Sequence, residues 1–247
     1  MKIYQCTTDI LSVARSDGLE VRRTKHYAPK DEYTMDYLDI NTIRSVLSQL
    51  KQIMDDHRDR LIALDRDLGD GDLGLTMTKA FTAAHETAAT SEETLPGKLL
   101  MRVGMAMAKA APSTMGTLVA TGFMRGGKAI GEQERLGVPE LAAFFRAFTD
   151  GIMERGKTRP GNKTIVDALN PATEILEQAA AQGKNLGEAL TAASEAAVRG
   201  NEAARMMKSQ HGKAAVYQDQ TIGKEDPGAS VGVLIVQGFA WAIENHV

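Results

Sequence analysis

At 247 residues, 43% hydrophobic and 25% charged, the chain has the make-up of an ordinary globular protein with room for one substantial core. Its net charge of −3 offers no basic excess for nucleic acid or an anionic membrane surface, so neither is expected as a partner. The single cysteine, Cys6, excludes an internal disulfide framework and a cysteine-rich zinc site, and no apolar run approaches the roughly 18 residues of a membrane span.

Residues 1–34 differ in character from the rest. Met1–Gln5 and Gly18–Val21 are expected to form short strands, and Arg22 to Glu32 reads as a polar linker. Lys2 is followed by no continuous apolar segment of the secretory kind, which makes the cytoplasm the expected location. The extension is expected to be an interaction arm, a surface hairpin, or sequence upstream of a start at Met35; its composition leaves these open.

From residue 35 to residue 247 the chain reads as one helical domain. Twelve methionines, many alanines and few aromatics favour helices, because Ala and Met lose little freedom on entering one. Eight helical segments are predicted, over 39–64, 73–90, 96–110, 114–131, 138–156, 164–183, 187–207 and 227–245. In the first, Ile43, Val46, Leu47, Leu50, Met54, His57, Leu61 and Leu64 recur at three- and four-residue steps. His57, on that stripe, is expected to be a packed histidine and not a ligand. Asp39 or Asn41 caps this helix, Pro96 and Pro139 sit in first turns, Asn185 precedes the seventh, and Asp226-Pro227 opens the eighth. The fifth carries Leu141, Phe144, Phe145, Phe148 and Ile152 on one face, and Pro171 is expected to kink or interrupt the sixth. Short links between long helices predict an all-α fold, an eight-helix antiparallel up-down bundle or closed barrel. The connection 208–226 is long for a compact domain and is therefore expected to serve function.

The chemistry concentrates in those links. Asp65, Asp70 and Asp72 stand among Gly69, Gly71 and Gly74 just before a helix, whereas Asp67 reads as solvated. Taken alone, such a turn is as readily an ordinary Asp/Gly loop. Three carboxylates aimed at one point would suit magnesium, which keeps part of its shell for water and phosphate. A calcium EF-hand fails, because position 6 from Asp65 is Asp70 where glycine is required and position 12 is Thr76 where glutamate is required. Ser113 or Thr114 can cap the fourth helix, and hydroxyls and amides there could equally hold a phosphate. Arg155 to Thr164 is a basic, glycine-bearing turn without the spacing or preceding strand of a P-loop.

Four segments occur in order: Leu64-Asp65-x-x-Leu68-Gly69-Asp70-Gly71-Asp72-x-Gly74, Pro160-Gly161-x-Lys163-Thr164-x-x-Asp167-Ala168-Leu169, Gly212-Lys213-Ala214, and Ile222-Gly223-x-x-Asp226-Pro227-Gly228-Ala229. Together they closely resemble the DhaL-type nucleotide-binding domain of dihydroxyacetone kinases. The resemblance runs from about Met35 to the C-terminus and leaves residues 1–34 uncovered. It implies an eight-helix antiparallel barrel and a kinase subunit that binds Mg-ADP or Mg-ATP. A separate K-type subunit would hold dihydroxyacetone or a related small ketose covalently on a histidine. The phosphoryl donor would be ATP, or a phosphocarrier protein acting through bound ADP; homo-oligomerisation is left open.

Carried over by position, the resemblance implies that Asp65, Asp70 and Asp72 ligate magnesium in a two-metal site. Leu73, Gly74, Leu75 and Thr76 would meet phosphate, and Ala110, Ala111, Gly156 and Ile165 would line the nucleotide. Asp226, Pro227 and Gly228 would form a lip over it. Lys213 stands where the family usually has Arg, keeping the charge but losing the planar fork. Leu73 replaces a usual His, Thr76 a usual Asn, and Asn162 a usual Asp. Ala108 to Ser113 replaces a glycine-rich loop, so that Lys109, Ser113 or Thr114 would take over phosphate contacts. These departures imply a divergent branch. They also leave two rival readings, a nucleotide-binding regulatory module without turnover and a helical domain whose Asp-rich turn has no ligand.

Overall fold

The computed structural model describes residues 36–244, so the strands expected at Met1–Gln5 and Gly18–Val21 lie outside the described residues. The described part is all-α. Its helices are α1 (Ile40–Asp56), α2 (Arg58–Arg66), α3 (Leu73–Thr90), α4 (Pro96–Ala110), α5 (Thr114–Ile130), α6 (Val138–Gly156), α7 (Val166–Ala181), α8 (Leu186–Ala204) and α9 (Pro227–Glu244), with a 3-10 segment at Lys213–Thr221. An isolated antiparallel bridge between Leu38 and Leu136 is the sole β pairing among the described residues. None of the described helices is long and apolar enough to cross a membrane.

The helix starts follow local chemistry. Asp39 Oδ1 accepts from the Thr42 amide at 2.8 Å, Ser113 Oγ from Gly116 at 3.1 Å and Asn185 Oδ1 from Glu188 at 2.8 Å. Each side chain satisfies an amide that the first turn leaves open.

One expectation needs correction. The first predicted helix is two, broken at His57. There the backbone takes φ −95°, ψ 2°, and both the amide and Nδ1 of His57 lie on the Ile53 carbonyl, at 3.0 and 2.9 Å. Ring and main chain thus share one acceptor, and the helix restarts with Leu61 donating to His57 at 2.9 Å. Of the two outcomes expected at Pro171, a kink or an interruption, the interruption does not occur, and α7 runs on to Ala181. Proline at this depth removes the bond to the Asp167 carbonyl. Helix α8 comes up against that carbonyl at Gly200, where an added Cβ would lie 2.2 Å from Asp167 O and 2.8 Å from the proline ring.

Each helix packs on its successor from α3 to α9, α1 packs on α3, and α9 returns against α1, so the bundle closes into a ring. Its interior is filled. All six phenylalanines of the chain form one cluster: Phe81 from α3, Phe123 from α5, Phe144, Phe145 and Phe148 from α6, and Phe239 from α9. Every one is fully buried. Edge-to-face packing, as between Phe123 and Phe148 at 5.2 Å, is the arrangement that ring quadrupoles favour.

Candidate functional site

In an antiparallel ring, alternate links lie at the same end. The links α2–α3, α4–α5, α6–α7 and α8–α9 are alternate, and they carry the four groups of residues singled out in the sequence. Contacts between them bear this out. Lys213 pairs with Asp70, the Gln210 amide donates to Asn162 O at 3.1 Å, and a Cβ on Gly228 would stand 3.0 Å from Met115 and 3.2 Å from the Ile165 amide. The starts of α5, α7 and α9 therefore meet beside the Asp-rich turn.

Asp65 ends α2, and its Oδ2 accepts from the amides of Asp72 at 3.0 Å and Leu73 at 3.3 Å. That grip folds the turn back on the helix it left. Gly71, at φ +72°, occupies the left-handed region that glycine tolerates. Gly74 is needed for a different reason: a Cβ there would stand 2.2 Å from Arg58 O and 2.8 Å from the Ile62 side chain. The bare backbone lets α3 begin directly against α2. Asp65, Asp70 and Asp72 consequently offer carboxylate oxygens that all lie within 4.8 Å of one another.

The electrostatics are those of an acidic cluster with one cation. Lys213 beside Asp70 holds that carboxyl below its ordinary value, and Asp70 in turn raises Lys213. Asp72 is pushed up by partial burial and then by the neighbouring charges of Asp70 and Asp65. Three clustered carboxylates repel one another and gain from any cation between them. Oxygen donors of this kind fit a hard divalent ion.

The remaining predicted positions fall into two groups. Leu73 and Gly74 are buried, and the Leu73 side chain belongs to the hydrophobic core, so this residue faces the turn through its amide. Ala111, Ile165, Asp226 and Gly228 are also buried, and Gly156, Thr76, Ser113 and Pro227 are partly so. Leu75, Ala110, Thr114 and Lys213 are exposed at the surface of this end.

Three residues that build the frame carried no assigned role in the sequence, although Lys163 and Asp167 stand in the second matched segment. Lys163, only 3% exposed, donates from Nζ to the carbonyls of Arg205, Met207, Thr221 and Lys224 at 2.6–3.2 Å. Asp167 accepts from the Gly161 amide at 2.6 Å and the Thr164 amide at 2.7 Å, shaping the α6–α7 link. Thr164-x-x-Asp167 is a capping-box pattern and could have revealed it. Glu225 joins three elements, accepting from Arg60 of α2 at 2.7 Å, Arg205 beyond α8 at 2.9 Å and Ser230 of α9 at 2.7 Å. Its pairing across 165 residues leaves no local signal. Asp226 caps α9 through the Ala229 amide at 2.7 Å, and burial pushes its carboxyl up to about 7.

Comparison with known proteins places this geometry in context. The model of the DAK2 domain matches residues 67–241. The ADP-binding subunit DhaL of the PEP-dependent dihydroxyacetone kinase of Escherichia coli (strain K12) is 32% identical over 199 residues, spanning 81% of this chain and 95% of that protein. The D-erythrulose kinase of Mycolicibacterium smegmatis is 32% identical over 183 residues, 73% of this chain, but the match covers 32% of its length. Among solved structures, the dihydroxyacetone kinase from C. freundii in complex with AMP-PNP and Mg2+ superimposes with a TM-score of 0.61 at 22% identity, over 92% of this chain and 38% of that one. That likeness shows a shared fold.

Proposed function

Because the chain belongs to the DAK2-domain family, we propose that it is the Mg-ADP/ATP-binding L-type subunit of a dihydroxyacetone-kinase-like enzyme. It transfers a phosphoryl group to dihydroxyacetone or a related small ketose held by a K-type partner subunit. The observation that carries this reading is the convergence of the Asp65, Asp70 and Asp72 carboxylates within 4.8 Å at the end of the ring where Lys213 stands.

Asp65, Asp70 and Asp72 hold magnesium in this reading, as a two-metal site. Magnesium bound there neutralises phosphate charge and aligns the phosphate oxygens, which is most of what phosphoryl transfer asks of a protein. The chain's own groups do the rest. The amides of Asp72 and Leu73 fix the Asp65 carboxylate, so that it meets a cation already oriented. Leu73 to Thr76 supply the positive end of α3 to a phosphate. The starts of α5, α7 and α9, with Ala110, Ala111, Gly156, Ile165 and Asp226 to Gly228, form the nucleotide's wall and lip. Lys213, paired with Asp70, supplies a positive charge beside the transferring group.

Calorimetric titration with Mg-ADP and Mg-ATP tests the assignment. Wild type is expected to bind both, and the double variant Asp70→Ala, Asp72→Ala to bind neither. Unchanged affinity in that variant would remove the basis of the reading. Ketose phosphorylation with a K-type subunit, supplied with ATP or with a phosphocarrier protein in turn, separates the two donor routes. Inactivity with a verified partner under both would favour a regulatory module.

A further inference from the structure

We propose that Lys163 is a positioning residue: its buried ammonium group acts as a built-in cation that pins the α8–α9 connection and thereby holds Lys213 opposite the Asp65–Asp70–Asp72 cluster.

The connection must be pinned somewhere. Its middle, the 3-10 segment at Lys213–Thr221, is exposed along most of its length, with Val216 at 80% and Lys213 at 64% side-chain exposure. What fixes it lies at its base. Lys163 Nζ reaches Arg205 O at 3.1 Å and Met207 O at 3.2 Å on the way out, and Thr221 O at 2.6 Å and Lys224 O at 2.7 Å on the way back. An ammonium group has three protons, so four carbonyl oxygens saturate it. Around this centre the two legs of the connection join, with Gly223 N donating to Arg205 O at 2.7 Å and Ser209 N to Thr221 Oγ1 at 3.0 Å. Asn162, next to Lys163, takes Gln210 N on its carbonyl at 3.1 Å.

A neutral side chain could not do this. Four carbonyl dipoles aimed at one point need a positive charge at their focus, and burying that charge is costly unless it is fully bonded. The backbone of the lysine suits this role, since it sits at φ +58°, turned inward from the exposed link that carries it. Burial lowers its proton affinity and the nearby Asp226 carboxylate raises it. Lys163 therefore does for the connection what a small bound cation would do, from within the chain.

The inference rests on the proposed nucleotide site for its consequence, but the clamp has a readout of its own. In Lys163→Met, hydrogen exchange across 205–224 is expected to rise at least tenfold while α3 to α7 keep their protection. Affinity for Mg-ADP is expected to fall at least tenfold, and affinity for Mn2+ alone not to fall, because the carboxylates are untouched and Asp70 loses a competing cation. On a Lys213→Ala background the same change is expected to cost less than a further twofold in Mg-ADP affinity, since Lys213 is what the clamp positions. Should Lys163→Met fail to fold, Lys163→Gln carries the same readouts. Unchanged exchange in 205–224 overturns the clamp. Full additivity with Lys213→Ala reduces Lys163 to a structural residue and overturns the positioning role. If wild type binds no Mg-ADP, the functional reading fails while the exchange result still decides the clamp.

Discussion

Asp226 shows how much a single buried carboxylate can report. It caps α9 through the Ala229 amide while burial drives its carboxyl up to about 7, opposed by that amide and by Lys163 and reinforced by Asp167. An unfolded aspartate titrates near 4, so between about pH 4 and pH 7 the folded chain holds a proton that the unfolded chain has lost. Stability contributed by this group therefore falls as pH rises through that window, by at most about 1.4 kcal/mol per pH unit. Asp226→Asn keeps the capping oxygen and removes the ionisation. Urea midpoints measured from pH 4.5 to 7.5 are expected to decline less steeply in the variant than in wild type; parallel curves would rule out Asp226 as the source. Leu73 is instructive for another reason. The family resemblance marks it as a departure from histidine; its side chain lies in the core, and what it offers to Asp65 is its main-chain amide.

At the scale of elements, the decisive contact is α2 against α3. The carboxylate cluster exists because α3 starts directly on top of α2, and that approach needs Gly74. Gly74→Ala would drive a methyl group into the Arg58 carbonyl at 2.2 Å. Overpacking of this kind costs about 1–3 kcal/mol. The variant is expected to lose that much in urea denaturation and at least tenfold in Mn2+ affinity, since the turn can relax only by moving Asp72 away from Asp65. Retained Mn2+ affinity would show that the cluster tolerates the shift. The break between α1 and α2 belongs to the same geometry. The apolar stripe from Ile43 to Leu61 is continuous in sequence, and a stripe does not record a local break in the helix. His57, with ring and amide on one carbonyl, marks that break, and α2 beyond it carries Asp65.

Across the whole molecule, the ring is held by what fills it. The phenylalanine cluster ties α3, α5, α6 and α9, so that elements far apart in sequence share one apolar centre. Removal of a ring such as that of Phe144, which touches Phe123, Phe145, Phe148 and Phe239, leaves a cavity that close-packed helices refill only in part. Phe144→Ala is expected to cost about 3–5 kcal/mol by chemical denaturation. Mg-ADP binding by the fraction that stays folded is expected to remain within threefold of wild type, because the site sits on the end links. A larger loss of binding would mean that the centre of the ring governs the geometry of its end.

Features set by neighbours within a turn or two were readable from the residues alone. Helix caps at Asp39, Ser113, Asn185 and Asp226, the prolines at helix starts, the apolar face of α6 and the carboxylate turn are local, since each depends on groups a few residues apart. The closed antiparallel order was legible for the same reason, as short links leave successive helices little choice. Other features needed the folded chain. Asp70 meets Lys213 across 143 residues, Glu225 joins α2 to α9, and Lys163 turns inward to carbonyls more than 40 residues away. A lysine in a basic, glycine-bearing turn looks solvated in sequence, because burial depends on what packs over it. Only the tertiary structure brings four carbonyls to its ammonium group and converts an exposed-looking link into the anchor of the site.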